Sequence, residues 1–263
     1  MSVAIGVTTY NRPKFLTKSL RALGDAVEGL DCPVTVYNDG SDHTYRGEYR
    51  RAYSRLPDAT VIDAPENLGV AVAKNRLLEH MLDTTDAEWL FLLEDDIALA
   101  SPRAITEYVR VAEASGLHHL AFAHHGPANA GGPVDEQGDV QYYPHSIGAW
   151  CVYSRVSLLG AGLFDENFHN AWEHVEHEMR LYDQGYMPGC GPHRFPDVKG
   201  SAIELAELPG AITKSAIRPR VDWNSSIVNG LRYWSTARPE TFAMMFGPGT
   251  PLEQYARNVL GQP

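Results

Sequence analysis

The segment FLLEDDIALA (residues 91–100) runs an apolar strand straight into three consecutive carboxylates, Glu94, Asp95 and Asp96. Adjacent carboxylates repel one another and resist desolvation. A hard divalent cation offsets that repulsion. Mg2+ or Mn2+ typically takes one or two protein carboxylates and completes its shell with substrate phosphates. On a strand, side chains alternate, so Glu94 and Asp96 face one way and Asp95 the other. A helix cap or a solvated turn would use the same residue types. The position directly after WLFLL, beside other acidic strand ends, favours a metal.

Three further stretches carry chemistry. In YNDGSD (37–42), the carboxylate of Asp39 suits a base-ring N–H, and Gly40 permits a tight turn. An ordinary Asx-type turn is the plainer use of these residues. In ENLGVAVAKNR (66–76), Lys74, Asn75 and Arg76 lie on a helix able to face phosphates, or are simply surface groups. In AWEHVEHEMRLYDQG, Trp172, Val175, Met179 and Tyr182 form an apolar stripe, while Glu173, Glu176, His177 and Arg180 form a charged face. Intrahelical ion pairs explain such a face. A carboxylate near a metal would instead act as general base on an alcohol.

Eleven histidines raise the question of zinc, above all at His118/His119, His124/His125 and His174/His177. There is no HExxH and no cysteine pair, which argues against it. A single histidine, such as His193 in GCGPHRF, would complete a magnesium or manganese site.

These residues need elements to hold them. VAIGVT (3–8), PVTVYND (33–39), ATVIDA (59–64) and EWLFLLE (88–94) read as buried strands. PKFLTKSLRALGDAV carries Leu16, Leu20, Leu23 and Val27 on one helical face, with Pro13 suited to a first turn. NLGVAVAKNRLLEHML gives a second helix, and SPRAITEYVRVAEASG a third, started by Ser101 and Pro102 and stopped by Gly116. Such alternation predicts an α/β fold with a mostly parallel central sheet flanked by helices, and ligands beyond the carboxyl ends of its strands. Downstream, 121–139 reads as a strand and a Gly/Pro-rich loop, VQYYPHSIGAWCVYS as strand, and NAWEHVEHEMRLYDQG as helix. From about Gly189 regular pattern is scarce, so an irregular, mobile C-terminal segment is expected.

A net charge of −11 makes nucleic acid or an acidic membrane a poor partner. The three cysteines are widely spaced and make no disulfide framework, which suits a reducing cytoplasm. No apolar run approaches the ~20 residues of a membrane helix, and the N-terminus lacks the features of a signal peptide.

Taken in order, five motifs resemble the GT-A-fold glycosyltransferases, especially the family 2 nucleotide-diphospho-sugar transferases. They are IGVTTYNRP, VYNDGSD, NLGVAVAKN, LLEDDIAL at the DxD position, and the block SIGAWCVYS…NAWEHVEHEMRLYDQGY, over residues 3–186. The resemblance implies one GT-A domain, with residues 1–100 as the nucleotide-sugar half and 101–188 as the acceptor half; residues 189–263, beyond it, are expected as an irregular extension acting as a mobile lid. It implies a nucleotide-sugar site of Thr8, Thr9, Tyr10, Asn11, Arg12, Asp39, Asn67, Lys74, Asn75, Glu94, Asp95, Gly148 and Ala149, with Asp96 on Mn2+ or Mg2+, and His193 is the candidate histidine ligand beside it.

Two departures stand out. The DxD begins with Glu94, and the usual Glu-Asp pair reads Glu173-His174. The base is then Glu173, His174 or Glu176, with Glu173 preferred. The implied reaction is metal-dependent transfer of a sugar, UDP-linked by family weight and with inversion, to an acceptor hydroxyl on a glycan, metabolite or modified macromolecule. A module that binds the nucleotide sugar without turnover is one alternative. A sugar-phosphate nucleotidyltransferase is another, and would want a glycine-rich loop where TTYNRPKF stands.

Overall fold

The computed structural model describes residues 2–123, 129–211 and 223–261. The first strand, β1 (Val3–Thr9), is buried along its whole length, as its run without a charged residue allows in a sheet covered on both faces. Helix α1 (Pro13–Val27) begins on the expected proline and turns Leu16, Leu20 and Leu23 inward. Then follow β2 (Val34–Asn38), α2 (Arg46–Tyr53), β3 (Thr60–Asp63), α3 (Val70–Thr84), β4 (Trp89–Glu94) and β5 (Ile97–Leu99). Helix α4 (Arg103–Ser115) starts where Ser101 Oγ accepts the Arg103 N–H and stops at left-handed Gly116.

The second half supplies β6 (His119–Ala121), β7 (Asp135–Gln137), β8 (Val140–Tyr143), β9 (Trp150–Ser154), α5 (Arg155–Ala161), α6 (Glu173–Asp183) and β10 (Phe195–Val198). The short α7 (Ser201–Glu204) and β11 (Leu205–Glu207) precede α8 (Trp223–Ala237), α9 (Pro239–Phe246) and α10 (Glu253–Leu260).

Six strands form the main sheet in the order β3-β2-β1-β4-β9-β6. β3, β2, β1 and β4 run parallel, while β9 is antiparallel to both of its neighbours. The expected mostly parallel sheet is therefore present. VQYYPHSIGAWCVYS divides into β8, in a small β10-β8-β7 sheet, and β9, in the main one. The register aligns Thr8 with Tyr37 on one side and Glu94 on the other, which brings the polar strand ends to one edge.

The C-terminal segment differs from its expected irregularity. Helices α8, α9 and α10 bury Leu231, Trp234, Met245, Phe246 and Ala256 against Phe168, Val175 and Met179. Glycines and prolines at 230, 239, 247, 249 and 251 interrupt the sequence pattern. Most of them fall at helix ends in the structure, and Gly230 falls inside α8 for a packing reason described below. Among the described residues, no helix is long and apolar enough to cross a membrane, and Cys32, Cys151 and Cys190 are free thiols.

Gly40 shows how tightly the strand ends are tied. It has φ +65°, and a Cβ built there would lie 2.1 Å from the Glu66 carbonyl carbon and 2.4 Å from Asn67 N. Both the left-handed backbone and the backbone clash oppose any side chain, so Gly40→Ala is expected to lose about 2 kcal/mol or more in denaturant unfolding.

Candidate functional site

The carboxyl ends of β1, β2 and β4 hold most of the residues singled out in the sequence. Asp39 is buried, and its carboxylate accepts from Asn67 Nδ2 (2.7 Å), Leu68 N (3.0 Å) and Gly69 N (3.1 Å). Burial raises its pKa, and these N–H donors work against that rise. Asp39 therefore spends most of its acceptor capacity on fixing the 67–69 loop. Gly69 must be glycine here: φ is +96°, and a Cβ would meet the His169 ring at 2.6 Å.

The loop after β1 is a hydrogen-bond knot centred on Tyr49 of α2. Thr9 Oγ1 donates to Asp95 Oδ2 at 2.7 Å, so in its 3.1 Å contact with Tyr49 the phenol donates and Thr9 accepts. The Tyr49 oxygen in turn accepts from Ser41 Oγ and Arg12 N. Asn11 sits at φ +53°, held by its N–H to Ser41 Oγ and by Asp42 N donating to its Oδ1. Sequence reading missed Tyr49 and Ser41, because a tyrosine on an amphipathic helix and a serine in a turn carry no signal of a shared partner. Thr8 lines the same edge, and Tyr10 lies beside it half-buried.

The acidic cluster does not divide as strand alternation would have it: β4 ends at Glu94, which pairs with Lys74, while Asp95 and Asp96 lie in the following turn and both meet Arg12. Asp95 is buried beneath Thr9 and Arg12, with its pKa pushed up to about 7 by burial, against the pull of Arg12. Asp96 Oδ2 accepts Arg12 Nη2 at 2.7 Å, while its Oδ1 is buried and has no hydrogen-bond partner. An orphaned carboxylate oxygen at a strand end fits a hard cation. Among the described residues, no group of three His, Cys, Asp or Glu side chains could hold a metal, so such an ion would draw its remaining ligands from substrate oxygens. The expected histidine ligand is turned elsewhere: His193, at φ +59°, donates from Nε2 to Met245 O at 3.1 Å, and burial lowers its pKa.

Glu94 has a side chain one-third exposed and ion-pairs Lys74 Nζ at 3.1 Å. Lys74 is fully buried. Its ammonium also reaches Gly148 O (3.1 Å) and Glu173 Oε1 (3.4 Å). Burial lowers the Lys74 pKa, but Glu94 and Glu173 outweigh it and hold the group charged. Gly148 lies between Lys74 and His174, since a Cβ there would be 3.0 Å from each. Ala149 O accepts Glu94 N, joining the 148–149 loop to the end of β4.

Asn75 is placed differently from expectation. Its amide exchanges two hydrogen bonds with the Phe164 backbone and a third with Glu166, so it braces the chain ahead of α6 rather than facing a diphosphate. Helical spacing explains this, because Lys74 and Asn75 point about 100° apart.

On α6 the three candidate bases separate. Glu176 is fully buried with Arg180 Nε at 2.8 Å and Arg238 Nη1 on one oxygen, which removes it as a proton acceptor. Glu173 is buried with its pKa lowered to about 2; burial opposes this shift, and His174 and Lys74 impose it. His174 is one-fifth exposed with Nδ1 3.1 Å from Glu173 Oε1. Burial lowers its pKa, but Glu173 more than compensates and raises it. His118 and His119 are committed elsewhere, and His177 Nε2 donates to Gly162 O. His124 and His125 lie outside the described residues.

The fold is that of the GT-A class, and residues 4–126 match the model of the glycosyl transferase family 2. The galactofuranosyltransferase GlfT2 of Mycolicibacterium smegmatis is 31% identical over 104 residues, which span 37% of this chain and 16% of that enzyme. The mannosyltransferase PcManGT of Pyrobaculum calidifontis, solved with GDP-Man and Mn2+, superposes with a TM-score of 0.64 at 15% identity, over 98% of this chain and 68% of that one. TarS 1-349 of S. aureus in complex with UDP-GlcNAc gives 0.57 at 15% identity, over 99% and 80%.

Lys74→Met would leave Glu94 and Glu173 facing each other without their shared counter-ion. Removing one partner of a buried ionic group costs about 3–5 kcal/mol. The expected outcome is a matching loss in denaturant unfolding, partly recovered in Lys74→Met/Glu173→Gln.

Proposed function

We propose that this chain transfers a sugar from a nucleoside-diphospho-sugar, UDP-linked in the first instance, to an acceptor hydroxyl, with a divalent metal at Asp96. The observation that carries the reading is the pairing of Asp96, with its orphaned buried Oδ1, and the Glu94–Lys74–Glu173–His174 chain across one sheet edge. Residues 1–100 then supply the donor side and 101–188 the acceptor side. Solved neighbours of the same fold hold GDP-Man with Mn2+ and UDP-GlcNAc, which supports this donor class. The three free thiols suit a reducing compartment such as the cytoplasm.

Bound beside Asp96, Mn2+ or Mg2+ would neutralise charge developing on the diphosphate leaving group. Thr9, Asn11 and Asp39 shape the wall for the nucleoside. Asp39 does so chiefly by holding the 67–69 loop. Gly148 lets Lys74 and His174 close on the 148–149 loop, where a Cβ would lie 3.0 Å from each.

The proton of the attacking hydroxyl goes to His174. Glu173 is too acidic to serve, and Glu176 is neutralised by two guanidinium groups. With Nδ1 turned to Glu173, the Nε2 of His174 is left to accept. One base on the acceptor side suits a single displacement with inversion, and Glu173 acts as a positioning residue.

The donor is identified by thermal shift across UDP, GDP, CDP, TDP and ADP with and without Mn2+. Stabilisation by one diphosphate that needs Mn2+ and vanishes in Asp96→Ala is expected. A flat panel with folded protein refutes the donor site.

The base is tested by pH. His174 must be neutral to accept a proton, and its pKa lies above the ordinary value, so kcat is expected to rise with pH through a midpoint above ~6.5. His174→Gln is expected to lose about 10²–10⁴-fold in kcat. His174→Asp is expected to retain part of the activity with that midpoint moved to acid pH. Binding of the nucleotide sugar with no transfer or hydrolysis in wild type would make the chain a binding module instead.

A further inference from the structure

Immediately before the Glu173-His174 pair, Trp172 adopts φ +73°, ψ −9°, a left-handed backbone that a large side chain enters only under constraint. Its carbonyl accepts Glu176 N at 2.9 Å, so this strained residue starts α6. The constraint is visible on the side chain. The indole N–H donates to Ile227 O of α8, and the ring meets Phe246 of α9 edge-on at 5.4 Å and Tyr255 of α10 at 6.3 Å.

Gly230 explains how α8 comes so close. A Cβ built on it would lie 2.7 Å from Trp172 Cδ1 and 3.5 Å from Phe168 Cδ1. Glycine inside a helix costs about 1 kcal/mol against alanine, so its presence here answers to the indole. A second tie runs through Arg238, the N-cap of α9, which pairs with Glu176 one turn along α6 and with Asp165 ahead of it. Asp165 also accepts the Tyr233 hydroxyl of α8.

We infer that α8, α9 and α10 form a fixed buttress that holds Trp172 in its left-handed turn and so sets the direction of His174, with Trp172 and Gly230 as positioning residues. This reverses the expectation of a C-terminal lid, and it rests on the reading of His174 as the proton acceptor. The groups that face His174 come from three directions: Glu173 from its own helix, Lys74 from α3, and Glu178 from the next turn of α6. Moving Trp172 alters the distance to Glu173 first.

The test uses the full chain, comparing wild type, Gly230→Ala and Trp172→Phe. Histidine ring NMR follows each imidazole against pH, with His174→Gln assigning the resonance. Calorimetry with Mn2+ and UDP or GDP measures the donor side. In Gly230→Ala the His174 midpoint is expected to fall toward that of a free histidine, and kcat to drop about tenfold or more, while diphosphate affinity stays within about twofold. Trp172→Phe, which keeps an aromatic anchor, is expected to fall between, and it carries the test if Gly230→Ala does not fold.

An unchanged His174 midpoint and kcat in a folded variant overturns the inference. A shift shared by every histidine, or loss of diphosphate binding alongside kcat, also overturns it, because that marks general loosening. Full transfer activity in His174→Gln instead refutes the base assignment, and the midpoint comparison still decides whether α8 positions His174.

Discussion

One buried ammonium joins the two sides of the site. Lys74 lies at the base of the strand-end cleft, with only 2% of its side chain exposed, between a carboxylate on the β4 end and a carboxylate at the start of α6. A lone ammonium there would shed its proton or expel itself toward water. Two carboxylates keep it charged, and it keeps them from repelling each other. The arrangement fixes the spacing between the end of β4 and the start of α6. The 148–149 loop follows, because Lys74 holds the Gly148 carbonyl and Glu94 N holds that of Ala149.

The same economy of partners runs through α6. This helix buries Glu173, Glu176, His177 and Glu178, a dense set of polar groups for an element packed on two sides. Glu178 takes the Ser146 hydroxyl and lies 3.2 Å from His119 Nε2, while His119 stacks on Tyr153. Each group has a charged or hydrogen-bonding neighbour, as burial demands. The network is only partly satisfied, since Glu176 Oε2, His177 Nδ1 and Glu178 Oε2 are buried without a hydrogen-bond partner.

Much of this was legible in the sequence, and the reason differs by residue. Strands β1, β2 and β4 announced themselves because both of their faces are buried, which forces long apolar runs, whereas β3, expected to be buried, is a partly exposed edge strand. Asp39 and the acidic cluster stood out because strand ends are where this architecture places ligands, and Lys74 stood out through the NLGVAVAKN motif on α3. Asn75 and Glu176 misled because spacing along a helix gives a face but not the neighbour that covers it, and in both cases the neighbour is a distant loop or helix. The helices after 223 were obscured for a related reason. Gly230 reads as a breaker by propensity, yet it sits mid-helix where only tertiary contact with Trp172 explains it. His193 looked like a ligand by residue type alone, and a backbone carbonyl claimed it.

The antiparallel strand β9 lies between β4 and β6, although both precede it in the chain. β6 pairs with no other strand of the main sheet, so it has no place in that sheet until residues 150–154 arrive. The four parallel strands, by contrast, are complete once residue 94 has been made. During synthesis the parallel part of the sheet therefore has all its strands while the antiparallel part is still without its central one. Closure of the sheet waits on a contact of long sequence separation, which makes it a late and slow step. The buried polar groups of α6 acquire their partners only after that closure.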